Sequence, residues 1–469
     1  MLGEIIKRKV LISILILLTS SASLYFLQDV EVREGYLLSQ DAMLRYISWS
    51  PRAEPKGLAV LYHGFGGSSE MMGWIGFELA RRGYLVVSYD ARGHGKSSSS
   101  LSYDKSVLLQ DFRLINEEFN CSSGEILLIG HSMGGRAVQE LAPLVKPSKI
   151  VVIASPPLDE SVSSKLLVLA GLDEIFPSNM VRGLNSWHVH VSAFDDHLTI
   201  LYSPNSIEKI VSWLSGDSKT TVPLRLALTL ISSLSAISVL ILLPLALIER
   251  LEAKSEPGKR ISAKVLLILV LFAPISSIFL ISLTKLLRAP IASFILGIFY
   301  SQALGLTLIY RKDLSRVKRI FGEMKFSSLG SAMLLAFFAY LMMHFSLQPF
   351  LNVEPSVFRL PLIVELSLLF IPAVLIFETL TPHGSIQLNF LQRLTLMLVS
   401  FITASLVLQI LVGGGYAGYF LIVMYMSLIL LIPIELLASV LASRGLEALN
   451  PIWISIVLGL LLGAVTPIT

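Results

Sequence analysis

The serine at position 132 lies in the sequence feature that most restricts what this chain can form. It is the centre of residues 130–134, Gly-His-Ser-Met-Gly, between an apolar run at 125–129 with the length of a buried strand and a helical pattern at 136–141. A serine on so sharp a strand-to-helix turn projects its hydroxyl from the edge of a sheet, and the glycines are needed because a Cβ would clash in the turn. The pattern therefore predicts that Ser132 is a nucleophile on an α/β sheet.

The composition divides the chain into two parts. Of the 469 residues, 54% are hydrophobic, which is too many for a soluble protein of this length. Residues up to about 220 mix charged and apolar side chains, whereas long apolar runs dominate the rest. The net charge of +4 comes mainly from a few loops, and no basic patch interleaved with aromatic residues indicates nucleic acid. The single cysteine, Cys121, cannot form an internal disulfide.

Apolar runs of bilayer length predict an all-α polytopic transmembrane domain over residues 222–469. About eight such runs follow residue 221, namely 222–248, 265–284, 289–310, 327–347, 360–380, 394–412, 416–441 and 452–468. Another run, 10–27, follows three basic residues at 7–9. It predicts a signal anchor within residues 1–29, with a cleaved signal peptide as the alternative.

The basic residues between the runs predict how the chain is oriented in the cell membrane. They cluster at 250–264 and at 311–325, and the positive-inside rule places both loops in the cytoplasm. An even number of predicted membrane crossings separates the two loops, so both can lie on the same side of the membrane, as the rule requires. Residues 7–9 also lie inside if the first run is an anchor. Residues 28–221 are therefore expected on the extracytoplasmic side of a multi-pass membrane protein.

Strand and helix signals alternate through residues 30–216. A hairpin pattern at 33–49 precedes strand signals at 58–62, 84–89, 125–129, 149–154, 165–170 and 187–191, and helices are predicted at 70–82, 106–118, 136–141 and 206–214. Such alternation predicts a mostly parallel sheet that is covered on both faces. Residues 30–216 are therefore expected to form one α/β domain.

Two more motifs accompany the serine turn. Residues 63–67 have the sequence His-Gly-Phe-Gly-Gly, and residues 90–97 have the sequence Asp-Ala-Arg-Gly-His-Gly-Lys-Ser. With these motifs in this order, residues 30–216 resemble the α/β-hydrolase superfamily, particularly the monoacylglycerol-lipase-like and S33-type serine hydrolases. The resemblance covers nearly all of that segment and none of the membrane half.

The resemblance implies roles for individual residues. Ser132 would be the nucleophile, and its hydroxyl needs an adjacent general base. The family order of serine, acid and histidine points to Asp173, which follows a strand end, and to His197, between the last strand and the last helix. A tetrahedral oxyanion needs preorganised N–H donors, which the family takes from the backbone at the positions of Phe65 and Met133.

Other residues compete for these roles. Glu174 is the alternative acid. His188 and His190 are the alternative histidines, but they alternate along a strand and point to one sheet face, so they are interpreted as strand residues. No further ligand cluster accompanies that His-x-His pair, so no metal site is predicted. No cofactor is predicted either.

The sequence also departs from its lipase-like relatives, which carry a cap domain before the strand that leads to the acid. Here only residues 155–164 join the two strands, which is too short for a helical cap. Substrate selection is therefore expected to come from surface loops, from the membrane domain or from the bilayer.

Ionisable residues occur within or at the ends of the apolar runs, where they are costly and often functional. They are Glu365, Glu378, Glu435 and His344. They indicate either a polar cavity, as in a transporter or substrate channel, or contacts between helices.

The sequence as a whole predicts a membrane-anchored serine hydrolase that cleaves a small-molecule or lipid ester through an acyl-enzyme. An amidase or peptidase on the same triad is one alternative. A non-enzymatic transporter or scaffold with a hydrolase-like binding domain is another. The sequence identifies no protein partner.

Overall fold

The computed structural model describes the chain except for residues 1, 40, 103, 121–123, 159–162, 179–185, most of 248–282, 325, 382–384 and 413–415. Cys121 and the basic loop at 250–264 lie outside the described residues. The chain forms two compact units. The sheet unit comprises Thr19–Ile231, Leu347–Phe358 and Val465–Thr469, and the helical unit comprises Met1–Leu18, Ser232–Ser346 and Arg359–Ala464.

An eight-stranded sheet in the order β1-β2-β4-β3-β5-β6-β7-β8 forms the centre of the sheet unit. The strands are Glu31–Leu38 (β1), Met43–Ser50 (β2), Gly57–Tyr62 (β3), Leu85–Tyr89 (β4), Glu125–His131 (β5), Lys149–Ile153 (β6), Lys165–Ala170 (β7) and His188–Ser192 (β8). β1 and β2 form an antiparallel hairpin, β2 pairs antiparallel with β4, and all pairs from β4 to β8 are parallel. The carboxyl ends of the parallel strands therefore lie at one edge.

Helices connect these strands and bury them. They are Gly73–Ala80 (α2), Lys105–Glu118 (α3), Met133–Val145 (α4) and Pro204–Ser215 (α5), and a 3-10 turn, Ser69–Met72, precedes α2. β3 and β7 are buried at every position, as expected for central strands with both faces covered. Val60 and Leu128 share a core cluster with residues of α3 and α4, while α2 packs with α5. The prediction of an α/β sheet from strand–helix alternation is confirmed.

Apart from the charged, 10-residue helix Leu314–Glu323, the remaining helices are long and apolar. They are Leu2–Phe26 (α1), Val222–Leu247 (α6), Pro290–Ile309 (α7), Leu314–Glu323 (α8), Phe326–Leu347 (α9), Leu360–Leu380 (α10), Ile386–Val412 (α11), Tyr416–Ala442 (α12) and Asn450–Val465 (α13). Within the described residues, 7 helices are long and apolar enough to cross a membrane. The predicted run at 265–284 lies mostly outside the described residues. The boundaries 1–29, 30–216 and 222–469 stay a prediction.

Two short segments from the second half of the chain belong to the sheet unit. In Leu347–Phe358, the Phe350 carbonyl accepts a hydrogen bond from the Tyr202 hydroxyl at 3.0 Å, and the Phe350 ring stacks on Trp74 at 6.0 Å. In Val465–Thr469, the Ile468 backbone N–H donates to the Gly93 carbonyl at 2.8 Å, and its carbonyl accepts from Leu101 at 2.9 Å. The sheet unit thus includes residues that are remote in sequence from its strands.

Ser68 connects the first of these segments to the loop after β3. Its hydroxyl oxygen accepts a hydrogen bond from the Asn352 backbone N–H at 3.0 Å, and the two residues are 1% and 2% exposed. Since a buried donor without a partner is costly, we expect Ser68→Ala to destabilise the sheet unit by about 1–3 kcal/mol. Thermal unfolding of the full-length protein in detergent, followed by tryptophan fluorescence, measures this loss.

Ser102 provides the matched control for Ser68. Its hydroxyl accepts the Asp104 N–H at 3.2 Å in an exposed turn, so Ser102→Ala should change the stability by less than about 0.5 kcal/mol. Equal shifts of the unfolding midpoint in the two variants would contradict the proposed connection.

Candidate active site

The backbone at Ser132 has the conformation that the sequence pattern predicts. Its φ is 53° and its ψ is −113°, between the last residue of β5 and the first residue of α4. A Cβ on Gly130 would lie 2.1 Å from the Gly134 carbonyl oxygen, and a Cβ on Gly134 would lie 2.2 Å from the Tyr62 carbonyl oxygen. Only glycine fits at either position. The strained turn is stabilised by a 2.9 Å hydrogen bond from the Ser132 N–H to the Ile153 carbonyl on β6.

The three residues expected to form a catalytic triad lie together. Ser132 follows β5, Asp173 follows β7 and His197 follows β8, so all three lie at the carboxyl edge of the parallel strands. His197 Nε2 lies 2.9 Å from Ser132 Oγ. His197 Nδ1 lies 3.0 Å from each carboxylate oxygen of Asp173. The arrangement is a continuous hydrogen-bonded chain from carboxylate to imidazole to hydroxyl.

Asp173 is positioned by its own loop. Its Oδ1 accepts hydrogen bonds from the backbone N–H groups of Ile175 and Phe176 at 2.8 and 2.7 Å. The side chain is buried, and so is that of His197. These two amide donors fix the orientation of the carboxylate beside the ring of His197.

The alternative residues occupy other positions. Glu174 accepts a hydrogen bond from the backbone N–H of His197 at 3.3 Å, whereas the ring nitrogen Nδ1 lies against Asp173. His188 and His190 lie on β8, as expected, and the His188 ring packs near Trp213 at 6.0 Å. Among the described residues, the histidine that bonds to the Ser132 hydroxyl is His197.

The turn at residues 63–67 lies directly beside the nucleophile. A Cβ on Gly64 would lie 3.3 Å from Ser132 Cβ and 2.7 Å from His131 Nδ1. Phe65 is the next residue of this turn, and Met133 is the first residue of α4. The two backbone amides expected to bind an oxyanion therefore belong to the two segments that border the serine. Their role as donors stays a prediction.

His63 links this turn to the loop after β4. Its Nε2 accepts the Ala91 backbone N–H at 2.9 Å, so its Nδ1 carries the proton and donates to the Gly64 carbonyl at 2.7 Å. Burial lowers the pKa of His63, which keeps the ring neutral. Asp90 accepts the N–H and hydroxyl of Ser69 at 2.7 and 2.6 Å. Both residues support the turn beneath the site.

His131 is a residue of the site that sequence reasoning missed, because it occupies a variable position of the serine motif. Its Nε2 donates to the His197 carbonyl at 2.8 Å, and it is 1% exposed. Burial, the neighbouring His197 and His63 lower the pKa of His131 to about 3. The ring is therefore a neutral donor that ties the loop of the base to the strand of the nucleophile.

Large apolar side chains stand exposed at the same sheet edge. Leu158 follows β6, Leu172 follows β7 and Phe194 follows β8, and they are 60%, 63% and 91% exposed. We call these three residues the apolar rim. The connection between β6 and β7 includes residues 159–162, which lie outside the described residues.

The position of His131 gives a test of this site that uses the reactivity of Ser132. His131→Leu cannot donate to the His197 carbonyl, so a fluorophosphonate probe should label Ser132 about 10–100-fold more slowly, since small misplacements of a base have large effects on rate. His131→Gln keeps an N–H donor and should retain most of the rate. Because His131 is neutral near pH 7, the pH dependence of labelling should be unchanged in His131→Gln. Equal rates for the Leu variant and the unaltered protein would contradict the anchoring role.

Comparisons with known proteins agree with this geometry. Residues 53–199 match the family model described as serine aminopeptidase, S33. The chain is 25% identical over 183 residues to protein phosphatase methylesterase 1 of Candida albicans, covering 37% of this chain and 50% of that protein. It is 31% identical over 100 residues to monoacylglycerol lipase of Mycolicibacterium smegmatis, covering 20% and 35%. The chain thus spans half or less of the length of these curated relatives.

Among solved structures, the chain is similar to an α/β serine hydrolase without lid from Xanthomonas campestris. The TM-score is 0.35 and the identity 19%, over 40% of this chain and 93% of that one. The family match covers the segment that carries the serine turn, the acid and the base. The globular part of this chain therefore matches a serine-hydrolase family over residues 53–199 and has an α/β-hydrolase-like sheet.

Proposed function

We propose that the protein is a membrane-anchored serine hydrolase that cleaves an ester through an acyl-enzyme. The observation that carries this proposal is the hydrogen-bonded chain from Asp173 through His197 to Ser132, with 3.0 Å and 2.9 Å between the bonded atoms. An ionised carboxylate at Nδ1 fixes the proton there and leaves the Nε2 lone pair facing the serine hydroxyl. His197 Nε2, which carries no proton in this arrangement, can then act as a general base.

The reaction follows from this arrangement. His197 Nε2 takes the proton of Ser132 as Oγ bonds to the ester carbonyl carbon, and the carbonyl oxygen becomes an oxyanion. The amides of Phe65 and Met133 are the proposed donors to that oxyanion. The imidazolium then gives its proton to the leaving alcohol as the ester bond breaks. Water, deprotonated by the same nitrogen, hydrolyses the acyl-serine and restores the enzyme.

The apolar rim favours a lipid or acyl ester as substrate. Its members are more than half exposed at the sheet edge where Ser132 lies, and such exposed large apolar groups mark contact sites for apolar ligands or membranes. Relatives with a matching segment include a monoacylglycerol lipase and, at 29% identity over 150 residues, monoglyceride lipase of Rattus norvegicus. A hydrocarbon chain lying across the rim would bring its ester bond to the serine.

We further propose that the domain acts on the extracytoplasmic side of the membrane. The basic loops at 250–264 and 311–325 support this side by the positive-inside rule. Two segments of the sheet unit lie at the ends of predicted apolar runs: Leu347–Phe358 begins at the last residue of the fourth run after residue 221, and Val465–Thr469 contains the last four residues of the eighth. An even number of crossings returns the chain to its starting side, which is consistent with the proposed topology.

The role of each triad residue can be tested in the full-length protein in lipid nanodiscs. A fluorophosphonate should label the unaltered protein and fail to label Ser132→Ala. Asp173→Asn should lower kcat for a p-nitrophenyl ester on the order of 10⁴-fold, because the imidazole loses the partner that fixes its tautomer. Glu174→Gln is the matched control and should stay within about 10-fold, since the Glu174 carboxylate bonds to the backbone N–H of His197, whereas the Asp173 carboxylate bonds to the ring.

Several outcomes would overturn the assignment. Labelling that survives Ser132→Ala would show that another residue is the nucleophile. A larger loss of kcat in Glu174→Gln than in Asp173→Asn would identify Glu174, and not Asp173, as the catalytic acid. Hydrolysis of peptides or amides with no turnover of esters would favour the peptidase alternative. Absence of both labelling and turnover would favour a non-enzymatic binding domain.

The apolar rim makes a separate prediction about chain length. Phe194→Ser removes the most exposed apolar side chain, so kcat/KM for a long-chain acyl ester should fall roughly 10-fold, the effect of losing about half of the burial of a phenylalanine. The value for a short acetyl ester should be unchanged. Leu144, near the C-terminal end of α4, is 52% exposed, and Leu144→Ser is the control. Equal losses on both esters would contradict a role in binding the acyl chain.

A further inference from the structure

Charged and polar side chains meet inside the helical unit, far in sequence from the triad. They are Glu378 on α10, Arg393 on α11, Glu435 on α12 and Asn450 at the start of α13, with exposures of 1%, 0%, 1% and 0%. All four lie toward the helix ends joined by the connections at 381–385 and 443–449. Arg393 lies about 10 Å along its helix from that end, at 1.5 Å per residue. We call Glu378, Arg393 and Glu435 the buried ionic cluster.

One nitrogen of Arg393 bonds to both acids. Its Nη1 donates to Glu378 Oε1 and, at 3.2 Å, to Glu435 Oε2. Asn450 Nδ2 donates to the second oxygen of Glu378 at 2.6 Å, and the Asn450 carbonyl oxygen accepts from Trp453 Nε1 at 3.0 Å. The cluster therefore connects α10, α11 and α12, and Asn450 joins α13 to it.

The charges of the cluster do not balance if both acids are ionised. Arg393 is always protonated and supplies one positive charge, whereas two carboxylates would supply two negative charges. Among the described residues, the charged groups that interact electrostatically with Glu435 are Arg393 and Glu378. The nearby helix α8 carries Lys318, Arg319 and Glu323, which are exposed. A net negative charge at so little exposure is strongly disfavoured, and one proton on an acid removes it.

The hydrogen bonds decide which acid holds that proton. Glu378 accepts a donor on each of its oxygens, so both oxygens act as acceptors and neither is placed to donate a proton. Arg393 needs this carboxylate, because its Nε and Nη2 are buried and have no hydrogen-bond partner in the described part of the chain. Among the residues that the structure describes, Glu435 accepts only the longer bond from Arg393. Glu435 is thus the acid that is less stabilised in its ionised form.

We propose that the buried ionic cluster is a proton-binding site, with an ionised Glu378, a charged Arg393 and a proton on Glu435. The proton is the ligand, and it makes the cluster neutral. Loss of the proton would leave an uncompensated charge between α10, α11 and α12. The packing of these helices is thereby linked to proton binding, a role that ionisable residues within apolar helices often have. The site is independent of the proposed ester hydrolysis.

Infrared difference spectroscopy on the full-length protein in lipid nanodiscs tests the proposal. A protonated carboxylic acid has a C=O stretch above the amide I band, and the band shifts in deuterated water. Subtracting the spectrum of Glu435→Gln should reveal one such band in the unaltered protein. Glu323→Gln, at an exposed position, should leave the band in place. The absence of any acid band lost in Glu435→Gln would overturn the proposal.

A second variant distinguishes charge balance from burial alone. In Glu378→Gln, Glu435 becomes the only counter-ion of Arg393, so it should ionise and its acid band should disappear although the residue is present. In Glu378→Gln/Arg393→Met no cation remains, so the band should return, and this neutral pair also serves if the single variant does not fold. A band that persists in a folded Glu378→Gln variant, or that is missing in the double variant, would overturn the proposal.

Discussion

The strained backbone at Ser132 is the constraint on which the rest of the site depends. A φ of 53° is unfavourable for a serine, and it persists here because β5 enters the turn from the middle of the sheet and α4 leaves it at once. The turn closes tightly enough that Gly130 and Gly134 each face a backbone oxygen where a Cβ would be. The conformation of the backbone alone therefore places the hydroxyl outside the sheet edge, independently of its hydrogen-bond partners.

The same sheet edge determines which partners the serine meets. The parallel strands β5, β6, β7 and β8 end at one edge of the sheet, so loops that are about 40 and 65 residues farther along the chain place an acid and a base beside the serine. Neutral His131 then ties the base loop to the nucleophile strand through the His197 carbonyl. Rigid elements therefore hold the chain of hydrogen bonds, and the loops supply only the final side chains.

Buried charged groups are stabilised by different kinds of partners in the two units. In the sheet unit, Asp173 has two amide donors and an imidazole, so its charge is matched by hydrogen bonds. In the helical unit, backbone amides are used within the helices, and Arg393 is shared between Glu378 and Glu435. With fewer donors available, a proton is the remaining way to balance the charge. The difference follows from the secondary structure, since loops expose free N–H groups and helix interiors do not.

The sequence by itself determined the local elements and the class of chemistry. Glycine spacing predicted the turn at Ser132, alternating signals predicted the α/β sheet, and apolar runs predicted the long helices, because each depends on neighbours along the chain. Motif order also indicated Asp173 and His197. Only the tertiary structure showed the hydrogen bond from His131 to the His197 carbonyl and the contact of Leu347–Phe358 with the loop after β3. It also showed that Arg393 is the partner of Glu378 and Glu435, which the sequence had not identified. These contacts join residues far apart in sequence, and no local pattern records which distant strand, loop or helix will lie beside a given side chain.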